Sequence, residues 1–354
     1  MRSREVPWAQ DRLQPKRAWD LTEGAGVTVA VVDSGVDASV PQLAGRVLPG
    51  ADVVGGGPAN NDCLGHGTFV AGVIAARQAR GTGLAGVAPQ VRILPIRQTN
   101  SAEDGTAADM AEAIRAAVDG GANVINVSVS SFLPNIQLQA AAQYAEANDV
   151  LIVAAVSNEA KQGNPTAYPA AYPQVLAVGA IDKGGKRSEF SEFGDGLDVV
   201  APGVNITGLS RASAGHVVGD GTSFAAPFVA GVAALVRAEY PTLTAAQVRH
   251  RIEATADHPG TALPNPELGW GVVNPWAAVT AVLPEESGEG TATAAQAPAA
   301  QIATARRPVV DRRPQQSALA FVIVAAALAA AAGAAAVAVP QGRRRGWAGG
   351  VRAC

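Results

Sequence analysis

Cysteine is almost absent from this 354-residue chain: Cys63 and Cys354 are the only two, so at most one disulfide could form and no disulfide framework is available. Charge is equally sparse. Lys and Arg total 27 against 30 Asp and Glu, a net charge of −3, and those within the first 283 positions are scattered. That distribution excludes a nucleic-acid footprint. The opening Met1-Arg-Ser-Arg-Glu-Val-Pro-Trp8 has no apolar stretch of about 7 to 15 residues, so it is not a secretory leader. No run of Asp and Asn has calcium-loop spacing, no cofactor or metal is assigned, and no internal repeat is apparent.

Short apolar runs are what the chain does have, at 27–32, 91–96, 124–129, 150–156, 175–178 and 197–200. Continuous rather than alternating apolarity marks strands buried on both faces. They alternate with Ala-rich helical stretches such as 107–118 and 136–147. The order implies an α/β domain over residues 1–283, a mainly parallel sheet with helices on both faces. Such a length is enough to bury a large core.

Three Gly-rich motifs carry the chemistry: Val31-Val32-Asp33-Ser34-Gly35, Gly65-His66-Gly67-Thr68 and Gly221-Thr222-Ser223-Phe224-Ala225-Ala226-Pro227. A serine hydroxyl attacks an amide only if a neighbouring imidazole takes its proton, and the imidazole needs a buried carboxylate to fix its tautomer. Asp33, His66 and Ser223 supply those three types. Asp33 closes the first apolar strand, where open α/β sheets place their sites. His66 and Ser223 each precede a helix-like run, 69–76 and 224–238. Any one motif alone has an ordinary explanation as a turn, a loop histidine or a helix cap. Their co-occurrence points to nucleophilic hydrolysis of a protein or peptide substrate. His216, His250 and His258 have no such context.

The three motifs, in the order Asp, His, Ser, resemble those of the subtilisin-like serine proteases, or subtilases, over roughly residues 7 to 282. The resemblance implies a subtilisin-like fold with Asp33, His66 and Ser223 as the triad. It adds Val153-Ala-Ala-Val-Ser157-Asn158 as the oxyanion segment, Asn158 donating its side-chain amide. Ser128, Val129, Ser130 and Ser157 then fall at the substrate-binding positions. Two of these depart from the family pattern: Ser157 and Ser130 stand where relatives carry glycine. A positive φ at either would strain the backbone by about 1 to 3 kcal/mol, whereas a negative φ would only narrow the pocket. Small or uncharged P1 residues are expected.

Composition changes at Pro284. Residues 284–316 are rich in Pro, Ala, Gly, Ser and Thr without apolar periodicity, as in a flexible linker. Residues 317–339 follow, 23 positions without a charge. As a helix they would measure about 34 Å, enough to cross a bilayer core of roughly 30 Å. The tail, 340–354, is short and basic. Arg343, Arg344 and Arg345 on one side oppose Arg306, Arg307, Arg312 and Arg313 on the other, so charge alone does not orient the segment.

This plan, together with Pro7-Trp8-Ala9-Gln10 and Asp62-Cys63-Leu64-Gly65-His66, resembles the mycosins, the membrane-anchored subtilases of actinobacterial type VII secretion systems. The resemblance implies a protease domain outside the cell membrane and a cytoplasmic tail. It also implies association with secretion-channel components, and, as an alternative weight of function, a structural role in that complex with proteolysis secondary. An export signal is then expected upstream of Met1. Relatives tend to pair the cysteine before the catalytic histidine with one after the Asn-x-Ser strand. Here that second segment reads Ser130-Ser131-Phe132-Leu133, so Cys63 is expected to be free.

Overall fold

The computed structural model describes residues 4–100, 106–211 and 215–286. In chain order the elements are α1 (Trp8–Leu13), β1 (Thr28–Asp33), β2 (Ala51–Asp52), α2 (His66–Ala75), β3 (Arg92–Arg97), α3 (Ala107–Asp119), β4 (Val124–Val127), α4 (Ile136–Ala147), β5 (Leu151–Ala155), β6 (Val175–Ile181), β7 (Val199–Pro202), β8 (Ile206–Leu209), β9 (His216–Gly219), α5 (Thr222–Glu239), α6 (Ala245–Ala254) and α7 (Pro275–Thr280).

Strands β1 to β7 form one parallel sheet in the order β2-β3-β1-β4-β5-β6-β7. The expected continuous apolarity is the cause: every residue of β1, β4, β5, β6 and β7 is buried, which requires cover on both faces. Helices supply it. α3 and α4 pack together, α3 against β1 and β3 and α4 against β5. α5 runs across β4 to β7 and packs on α2. Both α2 and α5 are apolar nearly all round, the pattern of helices sunk in a core. β8 and β9 form a separate antiparallel hairpin, and α2 packs on β8.

Chain order reverses at β1, which lies between β3 and β4. Open α/β sheets form their crevice at the carboxyl ends of the strands beside such a switch. Asp33 is the last residue of β1, and Val32 before it is the register partner of Val127, the last residue of β4. The sheet therefore delivers Asp33, Ser128 and the residues after β5 to one edge.

The helices carrying His66 and Ser223 start earlier than local pattern suggests. His66 opens α2 and Ser223 is the second residue of α5, so both lie inside a first helical turn rather than before it. In each case a side chain satisfies an otherwise orphaned N–H, from just before α2 and from 64 residues upstream of α5. Asp62 accepts from Gly65 and Thr68 at 2.8 and 2.9 Å, and Asn158 accepts from Thr222 at 2.9 Å. By contrast, α3 and α6 begin with local capping boxes, Thr106 with Asp109 and Thr244 with Gln247.

Pro284–Glu286 adds a turn of 3₁₀ helix held to α6 by His250–Glu285 and Arg251–Glu286 pairs, each 2.9 Å. The rest of the expected linker, the 317–339 segment and the tail lie outside the described residues. Among the described residues, no helix is long and apolar enough to cross a membrane.

Candidate active site

Asp33 is 1% exposed, a carboxylate at the end of a buried strand. Each of its oxygens lies 2.8 Å from Nδ1 of His66, so an Nδ1–H donates into the carboxylate and leaves Nε2 as the acceptor. That Nε2 is 3.1 Å from Oγ of Ser223. The fold thus joins three residues separated in sequence by 33 and 157 positions into one hydrogen-bonded chain.

The first link is held from behind. Asp33 Oδ1 accepts from the Ser34 N–H at 2.8 Å. The Ser34 hydroxyl donates to Asp62 at 2.9 Å and accepts from the Gly67 N–H at 3.1 Å. Asp62 gathers five donors in all, from Ser34, Leu64, Gly65 and both the N–H and hydroxyl of Thr68. A carboxylate there also suits the positive end of α2. At Gly67 the helix passes so close to β1's exit that a Cβ would overlap the Gly35 carbonyl oxygen and press on Asp33. A larger residue there would force α2 or the β1 exit to shift.

Burial works against the charged form of His66. The charge of Asp33 and its hydrogen bond, with the charge of Asp62, outweigh it and hold the imidazole pKa above the usual 6.5. This is the electrostatics of a base built to accept a proton and keep it briefly. The Phe224 ring packs at 5.1 Å from the imidazole and 4.1 Å from Phe69, fixing the imidazole's outer face.

Asn158 follows β5 and is exposed to the cleft. Its Oδ1 accepts from the Thr222 N–H and hydroxyl at 2.9 and 3.1 Å, which leaves Nδ2 on the side of Ser223. A Cβ built on Gly221 would be 3.0 Å from Ser223 Oγ and 3.5 Å from Asn158 Nδ2, so both groups flank the same point. An amide donor beside a nucleophilic hydroxyl is the arrangement that stabilises a developing oxyanion.

The two departures from glycine resolve differently. Ser157 has φ +84°, in the left-handed region, whereas Ser130 is absent from the positive-φ residues. Ser130 therefore adds only bulk, and its hydroxyl reaches the Ala155 carbonyl at 3.4 Å. Ser128 is buried, and its hydroxyl points to the backbone of Ser223 rather than into the cleft, donating to that carbonyl at 3.1 Å while accepting from Asn126 at 2.8 Å. Val129 packs partly buried against the core.

His216, His250 and His258 lie in other settings: His216 beside Gln42 and Thr82, His250 on Glu285 and His258 against Trp270. Cys63 is exposed and unbridged. Sequence reasoning missed Ser34, Asp62, Thr222 and Phe224. Proximity was a signal for each: Ser34 directly follows Asp33, Asp62 lies four residues before His66, and Thr222 and Phe224 flank Ser223.

The family model described as Peptidase S8, subtilase family, matches residues 24–271. Subtilisin DY of Bacillus licheniformis is 40% identical over 254 residues, covering 71% of this chain and 90% of its own length. Among solved structures, MycP1 with its amino-terminal propeptide removed superposes with TM-score 0.71 at 36% identity, covering 79% of this chain and 99% of that one. The MycP3 protease of the type VII (ESX-3) secretion system gives 0.69 at 35% identity, over 78% of this chain and 89% of that one. With the α/β fold, the matched residues and these relatives in agreement, the chain belongs to the subtilase family of serine endopeptidases.

Proposed function

We propose that this endopeptidase works through Asp33, His66 and Ser223, with Asn158 and the Ser223 N–H as oxyanion donors. The observation that carries the assignment is the hydrogen-bonded chain from Asp33 through His66 to Ser223 Oγ. Ser223 Oγ attacks the scissile carbonyl of a protein or peptide while His66 Nε2 takes its proton. Asp33 holds the imidazole tautomer and balances the imidazolium without taking the proton. The carbonyl oxygen, now negative, is met by Asn158 Nδ2. Collapse of the tetrahedral intermediate returns the proton from His66 to the leaving amine and leaves an acyl-enzyme. Water, activated by the same imidazole, then releases the acid.

Substrate contact falls to the Val129–Ser130 segment and to Ser157, with Ser128 acting from behind. Ser130 narrows that pocket relative to glycine, which supports small or uncharged residues at P1. Phe132 and Leu133, exposed just beyond it, favour an apolar stretch of substrate.

We further propose a mycosin-like setting: a cell-membrane protein anchored by 317–339, the protease domain outside and the tail inside, working with type VII secretion-channel components. The likeness to MycP1 and MycP3 supports it, as does the uncharged 23-residue stretch. Two assays test the proposal. Purified protein is expected to cleave an unstructured protein substrate and Ser223→Ala to leave it intact. The full chain is expected to sediment with membranes until detergent releases it, whereas a chain ending at 316 stays in the supernatant.

A further inference from the structure

We propose that Arg97 is a positioning residue for the triad, its guanidinium setting where the carboxylates of Asp33 and Asp62 stand around His66. The proposal rests on the assignment of Asp33 and His66 to the triad.

Three neighbouring strand ends place Asp52, Arg97 and Asp33 in a row, Arg97 being the register partner of both aspartates. An arginine so placed could pair with either. Its Nη1 donates to Asp52 at 2.7 Å, while Asp33 accepts from Ser34 and His66. Burial opposes the charge on Asp52, but the Gly55 N–H, Arg97 and the Val54 N–H together hold its pKa below 3.8. The positive charge is thereby neutralised away from the imidazole, whose raised pKa a nearer cation would depress.

Toward the site Arg97 meets neutral groups. Nε donates to the Ser34 carbonyl at 3.0 Å, and Nη2 donates to the Asn61 carbonyl at 2.6 Å and to the Asn61 side-chain oxygen. Ser34 and Asn61 adjoin Asp33 and Asp62, the two carboxylates that raise the His66 pKa. The fit leaves no slack. At Gly35, φ +97°, a Cβ would overlap the Asn61 carbonyl oxygen and stand 2.8 Å from Nη2. Arg97 itself is 9% exposed. Its planar fork spans Ser34, Asp52 and Asn61 at once, whereas a lysine ammonium is a single point of donation and cannot.

The test is steady-state hydrolysis of a tetrapeptide p-nitroanilide by the detergent-solubilised full chain, each variant assayed below its own unfolding transition. Arg97→Lys keeps the charge beside Asp52 and loses the fork. It is expected to lower the plateau kcat about tenfold with KM within about twofold, because a displaced base is felt in the transition state. With the charge kept, relaxation of Asp33 and Asp62 away from His66 should lower the kcat/KM midpoint by about half a pH unit. Arg97→Met should lose at least as much kcat. Asp52→Asn removes the ion pair but leaves the bonds to Ser34 and Asn61, so kcat should stay within about twofold of native. Native kcat and midpoint in Arg97→Lys would overturn the proposal, as would a loss in Asp52→Asn equal to that in Arg97→Lys, or variants changed only in Tm. Hydrolysis that survives Ser223→Ala would instead remove the triad assignment beneath it.

Discussion

The hydroxyl of Ser128 donates a 3.1 Å hydrogen bond to the backbone carbonyl of Ser223. Pro227 explains why that carbonyl is available: it stands four residues later inside α5 and has no N–H to offer it. Buried carbonyls find partners, and here the partner comes from the chain leaving β4. Proline in the first turns of α5 and serine after β4 are thus one device, fixing the backbone from which the Ser223 side chain projects.

Ser128→Ala leaves the Ser223 carbonyl buried and unpaired, with Asn126 Nδ2 losing its acceptor as well. A loss of about 1 to 3 kcal/mol of stability is expected, read as a fall in Tm. kcat should fall more than KM rises. If only KM changed, Ser128 would be a substrate contact and not a brace.

The raised pKa of His66 sets the sign of the pH dependence. Only the neutral imidazole can accept the Ser223 proton, so kcat/KM should rise with pH through a midpoint above 6.5. Stability runs the other way. A group whose folded pKa exceeds its unfolded value contributes stability fully present below about 6.5 and lost as pH rises through the folded pKa. Asp33→Asn removes the larger raising charge and leaves burial to dominate. The midpoint should move down while kcat falls by roughly 10⁴. A midpoint that stays in place would mean that Asp33 does not set it.

Gly67→Ala tests the close packing of α2 on the β1 exit. The added methyl meets backbone at Gly35 and the Asp33 side chain, neither of which can swing away. A displacement of about 1 Å at His66 would lower kcat by about 10²-fold. The measurement is kcat in a variant whose far-ultraviolet circular dichroism matches the native chain. Native activity would show that α2 can retreat without moving the imidazole.

Much of this was legible in the sequence because the signals are local. Runs dominated by Val, Ile, Leu and Ala in 27–32, 124–129 and 150–156 mark strands covered on both faces, and those runs match β1, β4 and β5 within two residues. That Asp33, His66 and Ser223 belong together was legible because three glycine-flanked motifs occur in one order, and the structure joins them by hydrogen bonds. What stayed hidden depends on partners distant in sequence. Asn158 caps α5 from 64 residues away, and Ser34 reaches Asp62 across 28, so no window shows either. β8 and β9 escaped notice because each is only four residues long, and none of His216–Gly219 is buried to leave a pattern. The sign of φ at Ser157 was equally hidden, because serine is permitted on both sides of zero.

The central claim is that Ser223 is a nucleophile activated by His66, and a fluorophosphonate probe reads that directly. The full chain in detergent should label at one site. Labelling should vanish in Ser223→Ala and fall sharply in His66→Ala, with all three proteins showing the same cooperative unfolding transition. A folded native chain that takes no label, or a Ser223→Ala protein that still labels, would contradict the account.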